Sequence, residues 1–182
     1  MNSGESNSGE SNSGESNDGV GTDAGIAVCF VCLGNICRSP AAEAVFRSVV
    51  SAEGLQDVIT IDSAGTAGYH VGEPPDHRTL SEARKRDYPL HHAARRFTAD
   101  DFDRFHLVIA MDSANLADLR RMAPDAPARA KIHLLRSFDP AAPTPADVGD
   151  PYYGTQRDFA TVFDQCEQAC PGLLKHAMSL LL

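Results

Sequence analysis

The segment Cys32-Leu33-Gly34-Asn35-Ile36-Cys37-Arg38-Ser39-Pro40 sets a cysteine and an arginine on either side of five residues, between an apolar run and an amphipathic one. No other stretch of the chain restricts the fold as much. Ile26-Ala27-Val28-Cys29-Phe30-Val31, just before it, is short, continuously apolar and rich in β-branched residues, which predicts a buried strand rather than a helix. After it, Ala42, Val45, Phe46, Val49 and Val50 recur on one helical face, and Gly54 is placed to end that helix. Pro40 suits the first helical turn, where its missing N–H costs nothing, and Ser39 suits the cap before it. The local reading is strand, glycine-containing turn, helix.

In such a turn the N–H groups of the loop and of the first helical turn lack intrahelical acceptors. They converge on a point of positive potential that suits an anion. Cys32 falls at the carboxyl end of the strand, beside that point, and the same field favours thiolate over thiol. Arg38 adds a planar fork able to hold two phosphate oxygens at once. Together these residues predict a nucleophile aimed at phosphorus.

The remainder of the chain predicts an α/β class of fold. Strand signals recur at Val58 to Ile61, His106 to Met111 and Lys131 to Leu135, separated by helical stretches near Asp76 to Arg86 and Ser113 to Met122. This alternation implies a single domain built on a mostly parallel, four-stranded open sheet with helices on both faces and the phosphate loop after the first strand. From Arg157 onward Phe159, Val162, Phe163, Cys166, Cys170, Leu173, Leu174 and Ala177 keep helical spacing, although Pro171 is expected to kink or interrupt the segment. A proline-rich loop between Ser137 and Gly149 delivers Asp150-Pro151-Tyr152-Tyr153-Gly154 to the surface. Ligands of open parallel sheets sit beyond the carboxyl ends of the strands, where the Cys32 loop and the Asp150 loop are expected to meet.

Composition narrows the partners. Residues 1–25 hold three copies of Asn-Ser-Gly-Glu-Ser and carry five of the net nine negative charges, leaving −4 for the rest. Such a segment buries too little apolar surface to offset its ordering entropy, so 1–25 is expected to be a disordered acidic tail and 26–182 the folded domain. With no strongly basic segment, nucleic acid is not an expected partner. Neither is a membrane, because no apolar run is long enough to span one, and the absence of a signal-like N-terminus points to the cytoplasm. The odd count of five cysteines argues for reduced thiols rather than a disulfide framework.

The run from Val31 to Glu43, the distant Asp150-Pro151-Tyr152-Tyr153-Gly154 and Ala110-Met111-Asp112-Ser113-Ala114-Asn115 resemble the low-molecular-weight protein tyrosine phosphatase family over residues 26 to about 180. The resemblance implies hydrolysis of phosphotyrosine in proteins. Cys32 would attack phosphorus to give a phosphocysteine, Arg38 would hold the equatorial oxygens, and Asp150 would act as general acid and then general base. Physical chemistry agrees, since a phenolate with a conjugate acid of pKa ~10 leaves poorly near neutrality unless it is protonated. The loop residues Leu33, Gly34, Asn35, Ile36, Cys37 and Ser39 would then surround the phosphate, Ser39 hydrogen-bonding the thiolate and Asn35 and His92 bracing the loop from behind. Leu33, Tyr69, Tyr152 and Tyr153 would wall the phenyl ring. Cys37 would be the neighbouring thiol able to form a reversible disulfide with Cys32. The implied partners are tyrosine-phosphorylated proteins and phosphate or other oxyanions, with no cofactor and no metal.

Several residues also have plainer readings. Cys29 forms a Cys-x-x-Cys with Cys32 but lies inside the strand and reads as core, as do Cys166 and Cys170 on the last helix. Asp150 before Pro151 is also a common turn former, with Asp147 as the fallback acid. His70, His77, His106, His133 and His176 carry no predicted role. Relatives that dephosphorylate arginine place a threonine where Ile36 stands, so Ile36 favours tyrosine. A phosphate-binding module without catalysis is the alternative from another class.

Overall fold

The computed structural model describes residues 25–182, so the expectation of a disordered tail falls, apart from Gly25, outside the described residues. Four strands, β1 (Ile26–Cys32), β2 (Ile59–Gly65), β3 (Leu107–Ala110) and β4 (Ile132–Leu134), form one sheet in the order β2-β1-β3-β4. Every pairing is parallel. The helices are α1 (Arg38–Ala52), α2 (His77–Lys85), α3 (Asp101–Arg104), α4 (Ser113–Met122), α5 (Ala126–Ala130) and α6 (Gln156–Ser179), with a 3₁₀ turn at Leu135–Phe138. No helix among the described residues is long and apolar enough to cross a membrane.

Alternation along β1 divides the core. Val28, Phe30 and Cys32 face α1 and α6, where Val45, Phe46, Val162, Phe163 and Leu173 are buried with them. Cys29 and Val31 face the other side, against Phe102, Leu119, Ala123 and Ala128. Fully burying side chains of this size contributes about 1.5–3 kcal/mol each, which is why the period of two is enough to fix which face Cys32 takes.

Differences from the sequence reading have local causes. β2 runs on to Gly65 because Ser63, Ala64 and Gly65 pair with Phe30, Val31 and Cys32, although their small side chains give little strand signal. A Cβ on Gly65 would sit 2.6 Å from the Leu33 carbonyl oxygen, so the phosphate loop packs against backbone that only glycine leaves open. Pro171 does not interrupt α6, which is continuous from Gln156 to Ser179; the flanking residues Ala169, Cys170, Leu173 and Leu174 are all buried against the core, and packing overrides the proline. Ser39 is not the cap of α1. Cys37 holds that position, and the Ser39 side chain turns inward instead.

Near the C-terminal end of α6, His176 packs edge-on to His133 of β4, with ring centroids 5.4 Å apart. Burial, reinforced by His176, holds the His133 imidazole below its ordinary pKa. The unfolded chain therefore binds more protons than the native one as pH falls through ~6.5, and stability declines from there toward acid. His133→Gln is expected to flatten part of the fall in Tm between pH 7 and pH 5. Superimposable pH profiles for the variant and the parent would exclude His133 from that dependence.

Candidate active site

Cys32 closes β1, and the chain turns from it over the N-terminal end of α1. The Asn35 backbone N–H donates to Cys32 Sγ at 3.3 Å, and Ser39 Oγ lies 3.0 Å from the same sulfur. Burial, with Asp76 nearby, pushes the Cys37 thiol up to about 12, and burial raises Cys29, Cys166 and Cys170 as well. All five are free thiols.

Asn35 holds the turn. Its φ of 59° lies in the left-handed region, uncommon for a residue with a side chain. Its amide secures it there: Nδ2 donates to Ser39 Oγ at 2.9 Å and Ser63 Oγ at 3.0 Å, and Oδ1 accepts from the Arg95 N–H at 2.9 Å. The fourth bond runs from His92 Nε2 to Oδ1 at 2.8 Å. Because Oδ1 can only accept, Nε2 carries the proton. Behind them the buried Glu43 carboxylate accepts from Ser63 Oγ at 2.7 Å. The Asn35 amide thus joins Ser39, Ser63 and His92 into one hydrogen-bonded group, and Glu43, which the sequence reading gave no role, extends it through Ser63.

Arg38 is the first residue of α1, and its side chain is only 3% exposed. Nη1 donates to Asp112 Oδ2 at 2.5 Å and to the Val148 carbonyl at 3.1 Å, while Nη2 donates to Asp150 Oδ2 at 3.1 Å. Burial works against its charge, but Cys32, Asp112 and Asp150 outweigh burial and raise its pKa. Asp112 went unassigned from sequence. Its signal was an acid just past the end of an apolar strand, where it also caps α4 by accepting from the Asn115 N–H.

The Asp150 segment reaches the site because the Val148 N–H donates to the Met111 carbonyl at 2.8 Å, at the carboxyl end of β3. Asp150 itself is 45% exposed, and its Oδ1 accepts from the Tyr152 N–H. Asp147 points elsewhere, accepting from the backbone and hydroxyl of Ser113 at 3.0 and 2.8 Å.

A cavity of about 250 Å³ joins these groups. Cys32, Arg38 and Cys37 form its floor, with Gly34 and Ile36 beside them, and Leu33, Tyr69, Asp150, Tyr152 and Tyr153 form its walls and rim. Tyr152 and Tyr153 meet edge to face with centroids 5.0 Å apart. Tyr69 and Tyr153 are largely exposed, at 76% and 98%. His70, given no role by the sequence reading, also lines this cavity. Its position could not be inferred because the loop carrying it has no periodic pattern.

A parallel open sheet whose first strand ends in a cysteine hydrogen-bonded by an N–H and a hydroxyl, with a buried guanidinium lining the same cavity, defines an α/β domain able to present sulfur to an oxyanion. The sequence profile of the low molecular weight phosphotyrosine protein phosphatases matches residues 27–179. The chain is 51% identical over 148 residues to a low molecular weight protein-tyrosine-phosphatase of Streptomyces coelicolor, covering 81% of this chain and 90% of that one. It is 45% identical over 152 residues to the human low molecular weight phosphotyrosine protein phosphatase, covering 83% and 95% respectively. Among solved structures, a protein tyrosine phosphatase from Entamoeba histolytica superposes with a TM-score of 0.82 at 37% identity, over 86% of this chain and 99% of that one. This chain belongs to the low molecular weight phosphotyrosine protein phosphatase family.

Proposed function

We propose that this chain hydrolyses phosphotyrosine in proteins by two in-line displacements at phosphorus, with Cys32 as nucleophile, Arg38 as phosphate clamp and Asp150 as general acid and base. The observation that carries this reading is the convergence on one cavity of a hydrogen-bonded cysteine sulfur, a buried arginine and a half-exposed carboxylate. In the first step Cys32 Sγ forms a bond to phosphorus, the P–O bond to the tyrosine breaks, and Asp150 gives its proton to the departing phenolate. In the second, Asp150 takes a proton from water, the water oxygen bonds to phosphorus, and the S–P bond breaks to release inorganic phosphate and the thiolate. Arg38 and the loop amides spread over the equatorial oxygens supply the positive potential on which both transition states rely.

Asp112 supports Arg38 in this reading by fixing Nη1, so that the guanidinium plane is set before any phosphate arrives. Cys37, raised to about 12 by burial, stays a thiol and does not compete as nucleophile. The aromatic rim of Tyr69, Tyr152 and Tyr153 favours a phenyl group, and Ile36 gives a phosphoguanidinium group no polar partner at its position. Kinetics on matched phosphotyrosine and phosphoarginine peptides test the assignment. A kcat/KM at least about tenfold higher for phosphotyrosine is expected, and a preference for phosphoarginine would overturn it.

A further inference from the structure

Arg78, near the start of α2, lies outside the cavity but against one of its walls. Asp76 caps that helix, its Oδ1 accepting from the Arg78 N–H at 2.8 Å. The same carboxylate grips the arginine side chain. Nε donates to Oδ1 at 3.0 Å and Nη2 to Oδ2 at 2.8 Å, a paired contact that fixes the plane of the guanidinium as well as its place. The two side chains are 8% and 24% exposed, so this is not a loose surface pair. Hydrogen bonds from Arg78 hold the Asp76 carboxyl below its ordinary pKa, and both partners are charged near neutrality. Asp76 is also tied to the phosphate loop, its N–H donating to the Ile36 carbonyl at 2.8 Å.

On its other side the guanidinium meets the Asp150 segment and α6. Its Cζ lies 4.4 Å from the centroid of the Phe159 ring and 5.8 Å from that of Tyr152. Both fall within the ~6 Å over which a cation is attracted to an aromatic face. Nη1 reaches the Gly154 carbonyl at 3.4 Å, and the Arg78 carbonyl accepts from Gln156 Nε2 at 3.2 Å. Phe159 is buried in α6 and gives the guanidinium a fixed backing. Tyr152 is the half-exposed partner, and it lines the cavity. Its other ring neighbours hold it less firmly, since Tyr153 is almost wholly exposed and the His70 ring is 6.4 Å away. Arg78 thus joins a wall residue to two anchored ones.

We propose that Arg78 is a positioning residue for aryl recognition: held by Asp76 and Phe159, it sets the Tyr152 ring against the cavity, so that selection of an aromatic group depends on a guanidinium outside the pocket. This rests on the phosphatase reading above and deepens it. The floor of the cavity, Cys32 and Arg38, holds the phosphate through other contacts. Loss of Arg78 therefore weakens the grip on the ring and spares the grip on the phosphate. Lysine is no substitute, because a compact ammonium cannot pair with both Asp76 oxygens and lie flat between two rings.

Calorimetric binding of benzylphosphonate, which carries a ring, and of methylphosphonate, which does not, tests the assignment, with para-nitrophenyl phosphate kinetics alongside. Arg78→Ala and Arg78→Lys are each expected to raise the benzylphosphonate Kd by about three- to fivefold, the scale of one exposed cation–π contact. The methylphosphonate Kd is expected to stay within about twofold of the parent, and the kinetic loss to fall on KM rather than kcat. In a Tyr152→Ala background the further change Arg78→Ala is expected to add nothing, because its effect passes through that ring. If Arg78→Ala fails to fold, Arg78→Lys carries the same comparison. An unchanged benzylphosphonate Kd, equal weakening of both phosphonates, full recovery with lysine, or an undiminished effect in the Tyr152→Ala background overturns the positioning role alone. A parent protein that binds neither phosphonate and is inert toward para-nitrophenyl phosphate overturns the phosphatase reading and this role with it.

Discussion

Cys32→Ser is expected to lower turnover of para-nitrophenyl phosphate by a factor on the order of 10⁴ or more, the loss typical when the nucleophile of a covalent mechanism is removed. A serine hydroxyl in the same place is not ionised near neutrality, and the donors around it cannot compensate. The fold has little to lose. Oxygen is smaller than sulfur, and the neighbours Asn35 N–H and Ser39 Oγ can hydrogen-bond to a hydroxyl as well as to sulfur. Unchanged Tm together with retained vanadate binding and absent turnover is therefore the expected combination. A variant that keeps its turnover would remove Cys32 from the chemistry, and one that loses its fold would be replaced by Cys32→Ala, with the same expectation for rate.

Asp150→Ala is expected to slow phenyl phosphate by about 10²–10⁴-fold, the range in which general acid catalysis operates. Para-nitrophenyl phosphate should be slowed less, because its leaving anion is stabilised by the nitro group and needs the proton less. The contrast between the two substrates is the diagnostic quantity. Asp150 also accepts from Arg38 Nη2, so its removal changes the guanidinium's surroundings and alters KM for both substrates alike. Equal slowing of kcat for both would assign Asp150 to positioning Arg38 and leave the proton to another group. Asp147, engaged by Ser113, is poorly placed to be that group.

How far the sequence could be read follows from what each residue depends on. The Cys32 loop was legible because strand, turn and helix around it are dictated locally by apolar period and by glycine and proline. The four-strand parallel sheet followed from alternation alone. The last part of β2 was not legible, since Ser63, Ala64 and Gly65 are strand only because β1 pairs with them and the phosphate loop crosses above. Pro171 misled for the same kind of reason, burial along α6 deciding against a local rule. In the site, Cys32, Arg38 and Asp150 could be named, but Asp112 and Glu43 act through partners far away in sequence, at separations that no window reveals. His70 lies in an aperiodic loop whose course is set by two hydrogen bonds to Ala94.

The four bonds of the Asn35 amide tie together α1, β2, and the segment bearing His92 and Arg95. Every polar atom of that side chain is already engaged within the protein, so the loop is shaped by folding and not by its ligand. An arriving phosphate then meets donors fixed beforehand, and its binding energy is not diverted into ordering a cradle. Preorganisation of this sort also concentrates vulnerability, because damage to one small amide loosens three pieces of chain at once.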